Sequence, residues 1–213
     1  MADATPTVFV IDDDPSVRAA LKRLVASVGL GCETFASSDE YLAQLNPVAP
    51  GCLIVDIRLP GLSGLELQEQ LGRDGYHLPI IFLTAHGDIR TTVRAMKGGA
   101  IDFLTKPFHE QELLDAVRHA IERDREGRHK HAERTTRRAH YESLTLRERQ
   151  VLSLVVTGHL NKQIAADLNL SESTVKLHRA EVMQKMEAHS LAELVSIVAD
   201  LHITPTYPGR DLT

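Results

Sequence analysis

From Thr7 to about Arg123 the chain alternates short, almost wholly apolar runs with longer segments in which apolar residues recur every three or four positions. The apolar runs fall at residues 8–11, 32–35, 52–56, 80–84 and 102–104 and predict five strands. Their apolar character on both faces predicts parallel strands covered on each side. Between them, residues 15–28, 39–45, 64–73, 89–97 and 110–123 predict helices. Leu21, Leu24, Val25 and Val28 in the first helix, and Leu113, Leu114, Val117 and Ile121 in the last, recur at helical spacing and form stripes that face a core. Strand and helix in strict alternation predict an α/β domain with a doubly wound parallel sheet.

The alternation stops at Glu122. Residues 122–143 hold seven Lys and Arg, five Asp and Glu, three His and almost no apolar residue, so no packed face is expected and the segment reads as a charged linker. Its residues are adequate helix formers without proline, which allows the preceding helix to run on into it. No apolar a/d repeat continues past Ile121, which argues against a coiled coil. From Leu144 to Leu201 only helical periodicity remains. Thr145 and Glu148 have capping-box spacing and open a helix through Val156, closed by Gly158. Residues 162–168 form a second helix; a turn at Asn169 and an N-cap at Ser171 introduce a third that reaches Met186; residues 190–201 form a fourth. The tail from Thr204, with Pro205, Pro208 and Gly209, is expected to fray. The expected organisation is a domain at 1–121, a helical linker at 122–143 and a small all-α domain at 144–213.

Composition narrows the classes. The 213 residues, 43% hydrophobic and 25% charged, are long and apolar enough for two packed domains. No apolar run approaches the ~18–20 residues that span a bilayer, and the first seven residues, with Asp3 in place of a basic stretch, are unlike a secretory signal. A cytoplasmic protein without a membrane partner is expected. Cys32 and Cys52 occur without CxxC or His/Cys metal spacing, so two buried thiols are expected instead of a disulfide framework or zinc site. The net charge of −5 is uneven: −6 in residues 1–121, +2 in the linker and −1 in residues 144–213. Any nucleic-acid binding must therefore come from a local surface.

In an open parallel sheet, ligands bind at the carboxyl ends of the strands near the topological switch point. That rule selects Asp12, Asp13 and Asp14 after the first strand, Asp56 at the end of the third, Thr84 at the end of the fourth and Lys106 after the fifth. Carboxylates that converge repel one another unless a cation neutralises them, and a donor set made of oxygen suits Mg²⁺. On a phosphoryl group beside such a cation, Lys106 pairs with one oxygen, the Thr84 hydroxyl donates to another, and Asp56 is the nucleophile. Asp14 stands immediately before Pro15 and reads as an N-cap, so it is left out of the ligand set. Asp39 and Asp102 read as surface or capping residues, and His86 as a loop histidine without a catalytic role.

Val10-Ile11-Asp12-Asp13-Asp14-Pro15, Asp56 with Arg58-Leu59-Pro60-Gly61, Thr84-Ala85 and Lys106-Pro107, in this order, resemble the two-component receiver domains over about residues 7–123. The resemblance implies a flavodoxin-like five-stranded sheet in which Asp56 accepts a phosphoryl group from a sensor histidine kinase. It implies that Asp13 and Asp56 ligate Mg²⁺ directly, Asp12 through water and Arg58 through its backbone carbonyl. Thr84 and Phe103 match the switch pair of that family, Thr84 moving toward the phosphoryl group as the ring turns inward; a simple core role for Phe103 is the lesser alternative, given its place three residues before Lys106. The Lys106–Pro107 bond is often cis in such domains.

Leu144-Thr145-Leu146-Arg147-Glu148-Arg149, then Asn161-Lys162-Gln163-Ile164-Ala165, then Ser173-Thr174-Val175-Lys176-Leu177-His178-Arg179 resemble the LuxR-type helix-turn-helix over about residues 143–201. Its second helix would enter a major groove. Helical spacing turns Val175, Val182 and Met186 inward, with His178 or Arg179 in part, and Thr174, Lys176, Leu177 and Ala180 outward. Lys176 is the base-edge candidate; Thr174, Lys162 and Lys185 are phosphate candidates; Leu177 and Arg179 complete the expected DNA face. Ala180 offers a thymine methyl an apolar contact or none.

The two parts together resemble FixJ/NarL-type response regulators. That resemblance implies a homodimer formed on phosphorylation through the helix at 89–97 and the strand at 102–104, double-stranded promoter DNA as a partner, and RNA polymerase as a further candidate. Release of output helices masked by the receiver is an alternative switch, and the sequence leaves both open. Rival readings are a Mg²⁺-dependent phosphohydrolase that forms an aspartyl phosphate, a phosphorylation-independent DNA-binding regulator, a helical interaction module, and a nucleotide-binding module. The last lacks both GxxxxGK[ST] and GxGxxG.

Overall fold

Strands β1 (Thr7–Ile11), β2 (Gly31–Phe35), β3 (Gly51–Asp56), β4 (Ile80–Thr84) and β5 (Asp102–Thr105) pair in the order β2-β1-β3-β4-β5, every pair parallel. All residues of β3 and β4 are buried, whereas the edge strand β2 is exposed at alternate positions. That difference follows from position, because central strands are covered on both faces and the edge is not. The connecting helices are α1 (Pro15–Ser27), α2 (Ser38–Ala43), α3 (Gly64–Arg73), α4 (Ile89–Lys97) and α5 (Glu110–Glu142). The computed structural model describes residues 5–46, 49–85 and 89–204, so His86 and the tail beyond Thr204 lie outside the described residues.

The pleat sorts the strand residues into two cores. Phe9, Ile11, Leu53, Val55 and Phe82 pack with Tyr41 of α2, Leu67 and Leu71 of α3 and Ala95 of α4. Val8, Val10, Cys52, Ile54, Ile81 and Leu83 pack with Leu21 and Val25 of α1 and Leu113, Val117 and Ala120 of α5. Each fully buried side chain of this size contributes about 1.5–3 kcal/mol. Because β1 lies between β2 and β3, the chain leaves the carboxyl ends of β1 and β3 in opposite directions, which opens the switch-point crevice there.

The chain divides into two units after Arg128, seven residues beyond the boundary expected from apolar periodicity. Helix α5 is one continuous element through Glu142. The first unit holds its helix past Ile121 by polar contacts. The Asp124 carboxylate, only 8% exposed, accepts the backbone N–H of Gly51 at 2.9 Å. Arg128 Nε lies 2.6 Å from the same carboxylate oxygen, and its Nη2 donates to the carbonyl of Ala49 at 2.5 Å. Gly51 is required at this point, since a Cβ there would stand 1.8 Å from the carbonyl oxygen of Thr7.

The second unit contains α6 (Leu146–Val156), α7 (Asn161–Leu168), α8 (Glu172–Lys185) and α9 (Leu191–Asp200). Thr145, Ser171 and Ser190 cap α6, α8 and α9, each accepting a backbone N–H three residues on. Asn169, at φ 54°, makes the left-handed turn between α7 and α8. The core comprises Leu144, Val151, Leu154, Ile164, Val175, Val182, Met186, Leu194 and Ile197, with Tyr141 near the end of α5 packed against it. Among the described residues no helix is long and apolar enough to cross a membrane.

Substituting Asp124 by Ala is expected to destabilise the first unit by about 1–3 kcal/mol, because the Gly51 N–H and the Arg128 guanidinium lose their buried acceptor. Denaturant unfolding of the full chain reads the change, and an unaltered transition would show that the fastening adds nothing to stability.

Candidate functional sites

The carboxyl ends of β1 and β3 bring Asp12, Asp13 and Asp56 together. One oxygen from each carboxylate lies within 4.8 Å of the others, with Asp12 and Asp56 buried and Asp13 exposed. The crevice is closed on one side by α3, whose first residue, Gly64, approaches so near that a Cβ would stand 2.5 Å from the carbonyl oxygen of Asp56. Ser63 and Glu66 form the capping box that starts α3 at this position.

Lys106 supplies the cation within the cluster. Its Nζ lies 2.6 Å from Asp12 Oδ2 and 2.6 Å from Asp56 Oδ2. The other oxygens are held by the main chain: Asp12 Oδ1 accepts the N–H of Asp14 at 3.0 Å, and Asp56 Oδ1 accepts the N–H of Arg58 at 2.8 Å. Burial raises the pKa of Asp12, and repulsion from Asp56 adds to that rise; the bonds from Lys106 and Asp14 oppose it without cancelling it. Burial works to lower the pKa of Lys106, but its two carboxylate partners outweigh that and hold it above the ordinary lysine value. One ammonium therefore leaves the buried Asp12 undercompensated, and further positive charge is favoured at the site. Three carboxylates with room between them and no nitrogen or sulfur donor fit a small hard divalent cation.

Thr84, at the end of β4, is fully buried, and its carbonyl accepts the Lys106 N–H at 2.7 Å. The Lys106–Pro107 peptide is cis. Phe103 on β5 is half-buried and packs against the core on the face of α3 and α4. Asp14 is turned away from the cluster: its carboxylate caps α1, accepting both the N–H and the hydroxyl of Ser16 at 2.7 Å, and these bonds lower its pKa.

In the second unit, Lys176, Leu177 and Ala180 of α8 are exposed, as is Lys162 of α7. Thr174 is half-buried, with its hydroxyl 2.8 Å from that of Ser171. Two further expected DNA contacts, Arg179 and Lys185, likewise have partners within the fold. Arg179 Nη1 donates to Asn161 Oδ1 at 2.7 Å, tying α8 to α7. Lys185 Nζ lies 2.7 and 2.8 Å from the two carboxylate oxygens of Glu148, which is 3% exposed. The Thr145–Glu148 spacing marks Glu148 as a capping residue, but nothing local in the sequence marks its second partner, 37 residues away. The Glu148 carboxyl is pushed up by burial, but the Lys185 and Thr145 bonds outweigh this and place it below the usual range.

Comparison with known proteins gives matches over both units. Residues 8–118 match the family "Response regulator receiver domain", and residues 142–198 match "Bacterial regulatory proteins, luxR family". Nodulation protein W of Bradyrhizobium diazoefficiens is 50% identical over 206 residues, covering 97% of this chain and 91% of the relative. Response regulator protein TodT of Pseudomonas putida is 45% identical over 201 residues, covering 94% and 88%. Among solved structures, response regulator StyR aligns with a TM-score of 0.82 at 50% identity, covering 92% of this chain and 99% of StyR. Full-length FixJ from B. japonicum aligns with a TM-score of 0.57 at 37% identity, covering 93% and 98%.

Replacing Lys185 by Met is expected to destabilise the second unit by about 1–3 kcal/mol, since Glu148 is left buried with its charge uncompensated. Because the folded-state pKa of Glu148 is depressed, its contribution is present above the unfolded value near 4.5 and is lost as pH falls through the lower folded value. Unfolding of wild type and Glu148→Gln compared from pH 7 to pH 3 checks the sign: the stability difference should shrink on acidification.

Proposed function

Because the chain belongs to the bacterial response regulators that join a receiver domain to a LuxR-family DNA-binding domain, we propose that Asp56 is its phosphoacceptor and that phosphorylation there governs DNA binding by α8. The observation that carries this reading is the meeting of Asp12, Asp13 and Asp56 at the switch point of the sheet, with the Lys106 ammonium paired to Asp12 and Asp56. The protein's relatives are transcriptional regulators, and its partners are accordingly a kinase and DNA.

In the proposed reaction, an Asp56 carboxylate oxygen attacks the phosphorus of a kinase phosphohistidine. An O–P bond forms as the P–N bond breaks, and the imidazole nitrogen keeps the electron pair and takes a proton from solvent. Asp13 and Asp56, with Asp12 and the Arg58 carbonyl beside them, would hold Mg²⁺, which would supply positive charge to offset that on the phosphoryl oxygens. Lys106 transfers its ammonium from the Asp56 carboxylate to a phosphoryl oxygen, and the Thr84 hydroxyl donates to another. As Thr84 moves, the half-buried Phe103 ring turns inward beside it, and the surface of α4 and β5 changes. Catalysis by this chain is confined to its own phosphoryl transfer and the slow loss of the phosphoryl group.

The changed surface is the proposed dimer interface. Ile89, Val93 and Met96 of α4, spaced along one face, are 82%, 45% and 45% exposed. A dimer pairs two recognition helices, which strengthens DNA binding by a domain whose sequence carries net charge −1 over residues 144–213. Lys176 reads a base edge; Lys162 and Thr174 meet phosphates. Leu177, Arg179 and Ala180 flank Lys176, whereas Lys185, nine residues further on and so on the opposite side of α8, is held by Glu148. RNA polymerase is a further partner at the promoter.

Incubation with Mg²⁺ and a small acyl phosphate should add one phosphoryl mass to the wild type and none to Asp56→Asn, read by intact mass; equal labelling of the two would overturn the site. Lys176→Ala should weaken specific DNA binding by about 1–3 kcal/mol and relax discrimination at one base position. Binding titrations against the target and singly altered sites measure this, and retained discrimination would remove Lys176 from base readout.

A further inference from the structure

Arg18 occupies an unfavourable place for a cation. Its N–H donates to the carbonyl of the N-cap Asp14 at 3.1 Å, so it stands at the amino end of α1, where the helix dipole disfavours positive charge. Beyond the N-cap Asp14, the first turn carries no acidic residue to offset that cost. The side chain is half-buried and folded back past the helix end. Its Nη1 donates to the carbonyl oxygen of Asp12 at 2.6 Å and to that of Asp13 at 3.0 Å. Both carbonyls lie at the end of β1, where the Asp12 N–H makes its bond to Phe35 at 3.2 Å before the chain turns. The guanidinium thus grips the main chain of the two residues that carry two of the three clustered carboxylates, without touching a carboxylate itself.

We propose that Arg18 is a positioning residue for the divalent-cation site, fixing the peptide units of Asp12 and Asp13 so that their carboxylates meet Asp56 without reorganisation. This rests on the reading of Asp12, Asp13 and Asp56 as the cation ligands. Two effects of Arg18 oppose each other: its positive charge repels a bound cation, and its hydrogen bonds preorganise the ligands that bind it. The geometry places the bonds on neutral carbonyls at short range, so preorganisation dominates and removal of the side chain weakens cation binding. Hydrogen-bonded supports behind metal ligands are typically worth about 10–100-fold in affinity.

The test is Mg²⁺ binding measured by titration calorimetry on the full chain, for wild type, Arg18→Ala, Arg18→Lys and Asp13→Asn. Arg18→Ala should weaken Mg²⁺ by about tenfold, and Arg18→Lys, which keeps the charge and one donor group, should recover part of that loss. The Mg²⁺ concentration for half-maximal labelling by an acyl phosphate should rise by the same factor in Arg18→Ala. The labelling rate at saturating Mg²⁺ should equal that of the wild type, because Arg18 touches no reacting atom. Unchanged or tighter Mg²⁺ binding in folded Arg18→Ala, or a rate loss that saturating Mg²⁺ does not restore, overturns the proposal. If Arg18→Ala does not fold, Arg18→Lys binding as the wild type does is the overturning result. Asp13→Asn separates the two levels: if it binds Mg²⁺ as the wild type does, the ligand assignment itself fails.

Discussion

Mutual repulsion among carboxylates is the constraint around which the first unit is organised. Two parallel strands whose following connections run in opposite directions leave a crevice between them; Asp12, Asp13 and Asp56 share it, and one ammonium, that of Lys106, pairs with Asp12 and Asp56. Gathering three negative charges in a partly dry place is unfavourable unless positive charge joins them. Several features follow from that requirement. The Lys106 N–H is bonded to the end of β4, main-chain N–H groups serve the outward carboxylate oxygens, and Gly64 lets α3 close against the back of Asp56. The same imbalance that makes the cluster costly alone favours positive charge beside it.

Buried carboxylates recur in this chain, each with one basic partner. Asp12 has Lys106, Asp124 has Arg128 and Glu148 has Lys185. All three also accept a backbone N–H, from Asp14, Gly51 and Thr145 respectively. The pairs at Asp124 and Glu148 fasten one element to another and have no reason to change. The pair at Asp12 differs because its lysine is shared with Asp56, and a shared partner can be drawn from one acceptor toward another. What sets this pair apart is that one ammonium serves two carboxylates, not how deeply either is buried.

Most of the fold was legible because its signals are local. The unbroken apolar runs of β3 and β4, the Asp14-Pro15 start of α1 and the Thr145–Glu148 box each state their structure within a few residues. The acidic cluster was legible because strand ends and the switch-point rule bring Asp12, Asp13, Asp56, Thr84 and Lys106 to one rim without any knowledge of side-chain contacts. What escaped is polar and long-range. Asp124 lies in a stretch so rich in charge that nothing distinguishes a fastened carboxylate from solvated ones, yet its bond to Gly51 spans 73 residues. Lys185 stands by periodicity beside the inward-facing Val182 and Met186, but nothing local marks its ammonium as the partner of Glu148 on another helix. Periodicity assigns a face; it does not say whether a long side chain on that face turns back toward its own domain.

Strand β3 links two of these features end to end. Its last residue is Asp56, and its first, Gly51, gives its N–H to Asp124 on the helix that continues into the DNA-binding unit. A receiver excised at Ile121, where its apolar stripe ends, would lose Asp124 and expose the start of the strand that carries Asp56. Modular exchange of output domains, whether by gene fusion in evolution or by grafting in the laboratory, therefore has its natural seam after Arg128. A chimera joined upstream of that point would inherit a receiver with one end of its central strand undone.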